Sequence, residues 1–430
     1  MSVQALPPMA AGTTAVDGAG INWGLRAAQL ILLVFLLSQV LAGVLRWALG
    51  MVGLQALIYV PTLLLWVQIG WIAMSHLRDR TLSRSAILLC CLLTTAGLVG
   101  LCSLPTKQVV FGAWVLTPLI YGFAAGQLAA TAHPWHRFAA LAILAIACVG
   151  IIVNSVTDYP WVGANFQLAG KEISGAREWH IGERQRLAGF SRSSFDAAGQ
   201  IAVLAALYNA GEARRWLRGA VWVLAVSAVL LSTARGILLA MLVVAIAIEC
   251  ERIGWRFVVR ALFAAGLVWM TFPPLFGWSV DLGQTARLQL RSAHGSYLDR
   301  LSNMWPEALQ LLLESPLPVL GRGLGGIGAA QTLFEPSRFN AADNLFVYQL
   351  VTLGGMALPL FAIAAHGAWR IATADTRAAA WHNAPALRAF ALIVLWYGAV
   401  SNIVENPVLA MLYGLLLAKS FEILRSRPLH

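Results

Sequence analysis

Long apolar runs separated by short polar joints organise the chain. About 20 apolar residues are needed to cross the hydrocarbon core of a bilayer. Windows approaching that length recur roughly twelve times, near 28 to 47, 52 to 74, 86 to 104, 109 to 132, 137 to 156, 195 to 211, 216 to 233, 236 to 253, 257 to 275, 345 to 368, 386 to 402 and 405 to 422. The sixth window is weakened by Asp196, and the seventh and eighth meet with almost no loop at Arg235. Two polar stretches break the rhythm, about 157 to 194 and 276 to 343. The pattern predicts an all-α polytopic membrane protein of about twelve transmembrane helices with two long loops.

The polar joints set an orientation. Arg78, Arg80 and Arg84 follow the second window, Arg214, Arg215 and Arg218 the sixth, Arg252, Arg256 and Arg260 the eighth, Arg370, Arg377 and Arg388 the tenth, and Arg425 and Arg427 the last. With cations retained on the cytoplasmic side, both termini are expected inside and both long loops outside. Residues 1 to 24 have no basic segment leading at once into an apolar stretch and a cleavage site, and read as a disordered tail before a single transmembrane unit, 25 to 430. Neither an internal repeat nor a second soluble domain is evident.

Composition agrees with this class: 59% hydrophobic residues, 11% charged and a mean hydropathy of +0.72 do not describe a soluble domain. The net charge of +11 lies in short clusters between apolar runs rather than on one basic face, which argues for membrane topology and against nucleic acid. Cys90, Cys91, Cys102, Cys148 and Cys250 lack metal-ligand spacing, and no metal or cofactor is expected.

The outer loops nevertheless carry Arg177, Arg184, Arg186, Arg192, Arg287, Arg291, Arg300, Arg322 and Arg338, where the positive-inside tendency predicts few cations. Guanidinium forks match phosphate oxygens and keep their charge near lipid. A membrane-surface phosphate or pyrophosphate would account for them, as would solvated loops with local pairs to Glu172, Glu178 and Glu183. Arg235, at the lip of two helices in STARGILLAM, either faces a cavity or snorkels to the interface. Asp196, after Ser193 and Ser194, reads as part of a helix start. The stretch YLDRLSNMWPEALQLLLE predicts an amphipathic helix on the outer membrane-facing surface, with Leu301, Met304, Leu309, Leu312 and Leu313 on its apolar side. GRGLGGIG after it lacks GK[ST] and a preceding strand, so it reads as a sharp turn in the outer loop and not a nucleotide cradle. His180 and His294 read as solvated loop histidines.

STARGILLA (232 to 240), RLSNMWPEAL (300 to 309), PLPVLGRGLGG (316 to 326) and DNLFVYQLVTLGG (343 to 355) occur in an order that resembles the O-antigen ligase and Wzy polymerase superfamily over about residues 190 to 420. The resemblance implies a class C glycosyltransferase-like fold in a bacterial inner membrane, with its site at the periplasmic face and a donor glycan linked to undecaprenyl pyrophosphate. It matches Arg235 and Arg300 to arginines that hold the donor pyrophosphate, with Arg192 and Arg322 as weaker contacts. Where ligases of the family carry His-Asn, this chain has Asp343-Asn344, which resembles the polymerase branch. That branch uses a lipid-linked glycan as acceptor; the ligase alternative uses lipid A core or a protein hydroxyl. Asp343 then reads as the base, Asn344 as an acceptor-orienting group and Glu405 in SNIVENPVLAM as a second catalytic carboxylate. The local alternative is that Asp343 and Asn344 only cap the following helix. A transporter of a lipid-linked sugar would need the basic surface without a base, but the polar residues lie in two unequal loops and not in two related halves.

Overall fold

The computed structural model describes residues 23–80, 83–129, 134–168, 171–181, 184–279, 295–373 and 384–425. Residues 1–22, Glu183, Arg287, Arg291, His294, Arg377 and Arg427 lie outside them. Each apolar window falls on helix: α1 (Trp23–Val40), α2 (Ala42–Met51), α3 (Val60–Arg78), α4 (Arg84–Ser103), α5 (Thr106–Val115), α6 (Thr117–Ala129), α7 (Pro134–Asn154), α8 (Ser194–Gly211), α9 (Arg215–Leu231), α10 (Arg235–Arg252) and α11 (Arg256–Ser279). After the second loop come α12 (Gly295–Asp299), a π-turn over Arg300–Met304, α13 (Trp305–Leu313), α14 (Ala329–Phe334), α15 (Leu345–Leu353), α16 (Ala357–Thr373), α17 (Ala384–Gly398) and α18 (Pro407–Arg425).

The span count differs from the expected twelve. Among the described residues six helices are long and apolar enough to cross a membrane, or up to eight if two bent pairs count as spans. The first window breaks by 80° between α1 and α2, and the fourth by 41° between α5 and α6. α9 has 17 residues, and α10 carries Arg235, Glu249, Glu251 and Arg252. α8, despite Asp196, is buried along nearly its whole length by its neighbours. Helices enclosed by other helices do not need a wholly apolar surface.

Ion pairs define one end of the bundle. Arg218 grips Glu249 with two bonds of 2.7 and 2.8 Å. Arg137 bonds Glu212 at 2.8 Å, and Arg388 pairs with Glu251 and donates to the Ile371 carbonyl. These pairs bring together the start of α7, the α8–α9 joint, the end of α10 and the start of α17, so α8, α9 and α10 run up, down and up.

At the opposite end the first long loop is not all coil. It forms two short antiparallel hairpins, Asn165–Leu168 with Lys171–Ser174 and His180–Ile181 with Arg184–Gln185. Trp161, Tyr159 and Phe190 stack beneath them, and the Trp161 indole donates to the Gly189 carbonyl at 2.9 Å. The second loop docks rather than lying on the surface: Trp305 is fully buried, Ala308, Leu309 and Leu311 are buried, and only Leu313 of the expected apolar side is largely exposed.

The Gly-rich segment is the largest departure from the sequence reading. It is not an outer turn but enters the bundle, where Arg322 and Gly323 donate backbone N–H groups to the Val351 and Thr352 carbonyls near the end of α15, and Leu324 donates to Ala96 within α4. Gly323, at φ 81°, would place a Cβ 2.6 Å from the Ala96 carbonyl oxygen, so only glycine permits this approach. Gln108 of α5 closes the segment through the Gly325 carbonyl at 2.9 Å.

Helices α6 and α18 approach closely through Gly122, facing the Met411 backbone, and Gly414, facing that of Leu119. Small residues allow such backbone contact in membranes. Gly122→Val is therefore expected to destabilise the fold by about 1–3 kcal/mol through overpacking. Gly219→Ala, at a position with open space around it, is expected to leave thermal unfolding in detergent unchanged or slightly raised. Equal unfolding midpoints for the Gly122 variant and wild type would contradict the packing.

Candidate functional site

The end opposite the paired arginines gathers charged side chains from several elements into one site. One side begins at α15. Asn344 is its N-cap: its Oδ1 accepts from the Val347 N–H at 3.0 Å, while its Nδ2 donates to the Met270 and Ala399 carbonyls at 3.0 and 2.9 Å. Those bonds occupy the fully buried amide, so Asn344 positions its neighbour and does not itself meet a substrate. This corrects its expected acceptor-orienting role.

Asp343 precedes the cap in a left-handed conformation, φ 41°, after Ala342 at φ 60°. Asp adopts this region more readily than Ala, and such residues cost of order 1–3 kcal/mol each unless surroundings hold them. Here Asn340 holds them: its Oδ1 accepts from the Ala342 N–H, its N–H donates to Gln331 and its Nδ2 donates to the Met304 carbonyl. The twist aims the Asp343 carboxylate at Arg300, which donates through Nε at 3.0 Å and Nη2 at 2.6 Å. Arg300 opens the π-turn, a helical irregularity often found at functional sites. Both side chains stay partly open, 19% and 25% exposed. Burial pushes the Asp343 carboxyl above its usual range, against the pull of Arg300 and Arg186.

Arg235 starts α10 after a break in which Thr233 takes φ 56°, and it is exposed. A cation and a helix N-terminus at one place both favour an anion. Arg186 reaches the same region over the Phe195 ring at 4.8 Å. Burial lowers its pKa, and the nearby charges of Arg300 and Arg235 lower it further. Sequence reasoning listed Arg186 only among the outer cations; no local pattern marks it as the partner of Arg300.

At the start of α8, Arg192 pairs with Asp196 at 3.0 Å, and Ser193, the cap of α8, donates to the same carboxylate at 2.8 Å. Asp196 thus serves both the helix start and the arginine. Arg177 lies beside Arg192 through a backbone bond of 2.8 Å between them. Arg46 of α2 donates to the Ser174 carbonyl and lies within electrostatic reach of Arg192, Arg177 and Asp196. Sequence reasoning missed Arg46, although an arginine inside an apolar window is itself a signal.

Glu405 ends a 3₁₀ turn between α17 and α18 and accepts from the Ala329 N–H at 2.6 Å. Burial, reinforced by Asp343 and opposed by the Ala329 N–H, Arg177 and Arg192, pushes its carboxyl from 4.5 up to about 7. Tyr397 lies between the two sides, within electrostatic reach of Asp343, Asp196 and Arg300.

Two expected participants stand elsewhere. Arg322 is buried and donates to Glu335 at 2.7 Å and to the Gly326 carbonyl at 2.6 Å, so it braces the inserted Gly-rich segment and is not a donor contact. Arg338 pairs with Glu314 at the surface. His180 stands 3.8 Å from Glu178. Arg46, Arg177, Arg186, Arg192, Arg235 and Arg300 thus stand within electrostatic reach of one another or of Asp196, Asp343, Glu405 and Tyr397. Neither a scan of protein-family models nor a search of curated proteins returns a match to this chain.

Glu405 makes a pH prediction. Its folded-state carboxyl holds a proton more tightly than in the unfolded chain, so stability falls as pH rises from 4.5 to about 7. The melting temperature of wild type relative to Glu405→Gln is expected to drop across that window and level off above it. A difference independent of pH would contradict the assigned environment.

Proposed function

We propose that the chain is an inner-membrane polymerase of surface polysaccharide, a metal-independent class C glycosyltransferase that moves glycan from undecaprenyl pyrophosphate to a lipid-linked acceptor at the periplasmic face. The observation that carries this reading is the Arg300–Asp343 pair on a strained turn, with Arg186 and Arg235 beside it. In this reading both termini are cytoplasmic, and α8, α9, α10 and α17 also cross the bilayer, α8 enclosed by its neighbours and α9 and α10 with apolar side chains such as Val223, Leu230 and Ile246 exposed, which brings the spans back towards twelve.

Donor pyrophosphate takes the place of the Asp343 carboxylate on Arg300. The exchange keeps Arg300 paired and so avoids leaving a desolvated charge alone. Arg235 and Arg186 share the phosphate charge, and fixed guanidinium groups stabilise the additional charge on the leaving group without reorganising. Asp343, released, faces the acceptor with a carboxyl already biased towards protonation and takes the proton of the attacking hydroxyl. The acceptor oxygen forms its bond to the anomeric carbon as the bond to the pyrophosphate oxygen breaks, and the electron pair leaves with the pyrophosphate. One displacement inverts the configuration. An apolar cavity lined by Met270, Leu345, Phe361 and Leu416 adjoins Asn344 through Met270 and Leu345, which suits the start of an isoprenoid tail.

Purified protein given undecaprenyl-pyrophosphate-linked repeats is expected to produce glycan ladders in detergent. At equal folded yield, Asp343→Asn is expected to lose about 10²–10⁴-fold in rate and Arg300→Ala about 10²–10³-fold. Single transfer to lipid A core without ladders would make the enzyme a ligase. Absence of any transfer would contradict the enzymatic reading, and ladders that survive Asp343→Asn would reduce Asp343 to a structural role.

A further inference from the structure

The end of the bundle opposite the site has its own cations, and the carboxylates beside them are occupied. Glu212, Glu249 and Glu251 pair with Arg137, Arg218 and Arg388. Arg218 also donates to the Glu212 and Ala213 carbonyls at 3.2 and 2.9 Å, and Arg252 donates to the Glu212 carbonyl at 2.7 Å and to those of Asn209 and Ala210 at 3.3 Å. These bonds satisfy carbonyls left over at the C-terminus of α8. They also fix the α8–α9 joint against the joint between α10 and α11.

Arg214, Arg215 and Arg252 are all exposed on these two joints. Arg215 and Arg252 lie within electrostatic reach of Glu249, which Arg218 already grips with two bonds. One carboxylate therefore answers three guanidinium groups, and the surface of the joints stays positive. Trp216, beside Arg215, is 69% exposed, and Trp255, three residues after Arg252, is 54% exposed. Indole rings at the end of a transmembrane bundle sit at the level of lipid headgroups.

Apolar stripes continue from the arginines along both helices. Trp216, Val223 and Leu230 are exposed at seven-residue spacing on α9, and Ile253, Ile246, Leu242 and Leu239 are exposed along one face of α10. The two helices adjoin. Guanidinium groups, then indoles, then aliphatic side chains follow the order of a phospholipid: phosphate, glycerol ester, acyl chain. An acidic soluble protein would complement the arginines and leave the stripes without a partner.

We propose that Arg214, Arg215 and Arg252, flanked by Trp216 and Trp255, bind the phosphodiester of an anionic phospholipid whose acyl chains lie along α9 and α10. Guanidinium forks match phosphate oxygens. A zwitterionic headgroup is disfavoured, because its ammonium meets the same cations. The site stands apart from the Arg300–Asp343 pair and does not depend on the reaction proposed above.

Native mass spectrometry of the whole protein in detergent, titrated with dioleoyl phosphatidylglycerol or dioleoyl phosphatidylethanolamine, tests the site. Wild type is expected to bind the anionic lipid at least about tenfold more tightly than the zwitterionic one. The double variant Arg214→Gln/Arg215→Gln, at exposed positions, is expected to lose most of that preference and to keep the unfolding midpoint of lipid-free wild type. Arg370→Gln, which removes an exposed arginine from the last turn of α16 at the same end, is expected to keep the preference. Inorganic phosphate is expected not to displace the lipid, since it has no chains to lie on the stripes. Equal binding of the two lipids by wild type would overturn the proposal. So would an equal loss in Arg370→Gln and the double variant, which would show the general charge of that end and not a site.

Discussion

Six guanidinium groups gathered at one end of an apolar bundle repel one another, and that end of the molecule is built around containing them. In a medium of reduced dielectric such repulsion is far stronger than in water. The tethers are local: Arg192 and Ser193 both donate to the Asp196 carboxylate, Asp343 holds Arg300, aromatic rings support Arg186 and a carbonyl holds Arg46. The other end of the same helices shows what complete neutralisation looks like, with Arg137, Arg218 and Arg388 each matched to its own glutamate.

The same constraint accounts for the backbone of the second loop. Asp343 reaches Arg300 only because Ala342 and Asp343 both take left-handed angles, and Asn340 and Asn344 spend all the bonds described for their amides on holding that shape. The Gly-rich segment supports it from below: its insertion between α4 and α15 brings Gly328 and Ala329 beneath Glu405. Charge placement, strain and insertion are three parts of one arrangement.

Features governed by near neighbours in the chain were legible in the sequence. The caps at Ser193 and Asn344, the break before Arg235 and the apolar windows all follow from local chemistry, and each appears in the structure. Features governed by distant packing were not. Arg322 has the same side chain as Arg300, and only the insertion of its loop sends it to Glu335. Which loop folds against which helix brings Arg46 within electrostatic reach of Arg192, and Arg177 within reach of Glu405, between parts of the chain far apart in sequence. The expected twelve spans compare with six to eight that length and apolarity support among the described residues, since a window does not reveal that α1 bends into α2 or that α8 is enclosed by other helices.

The central claim is that phosphate replaces Asp343 on Arg300. The most direct measurement is a cryo-electron microscopy structure of the full chain bound to undecaprenyl pyrophosphate. Phosphate oxygens are expected within hydrogen-bond distance of Arg300, with the Asp343 carboxylate turned away from the guanidinium. A pyrophosphate bound elsewhere, with the Arg300–Asp343 pair intact, would contradict it.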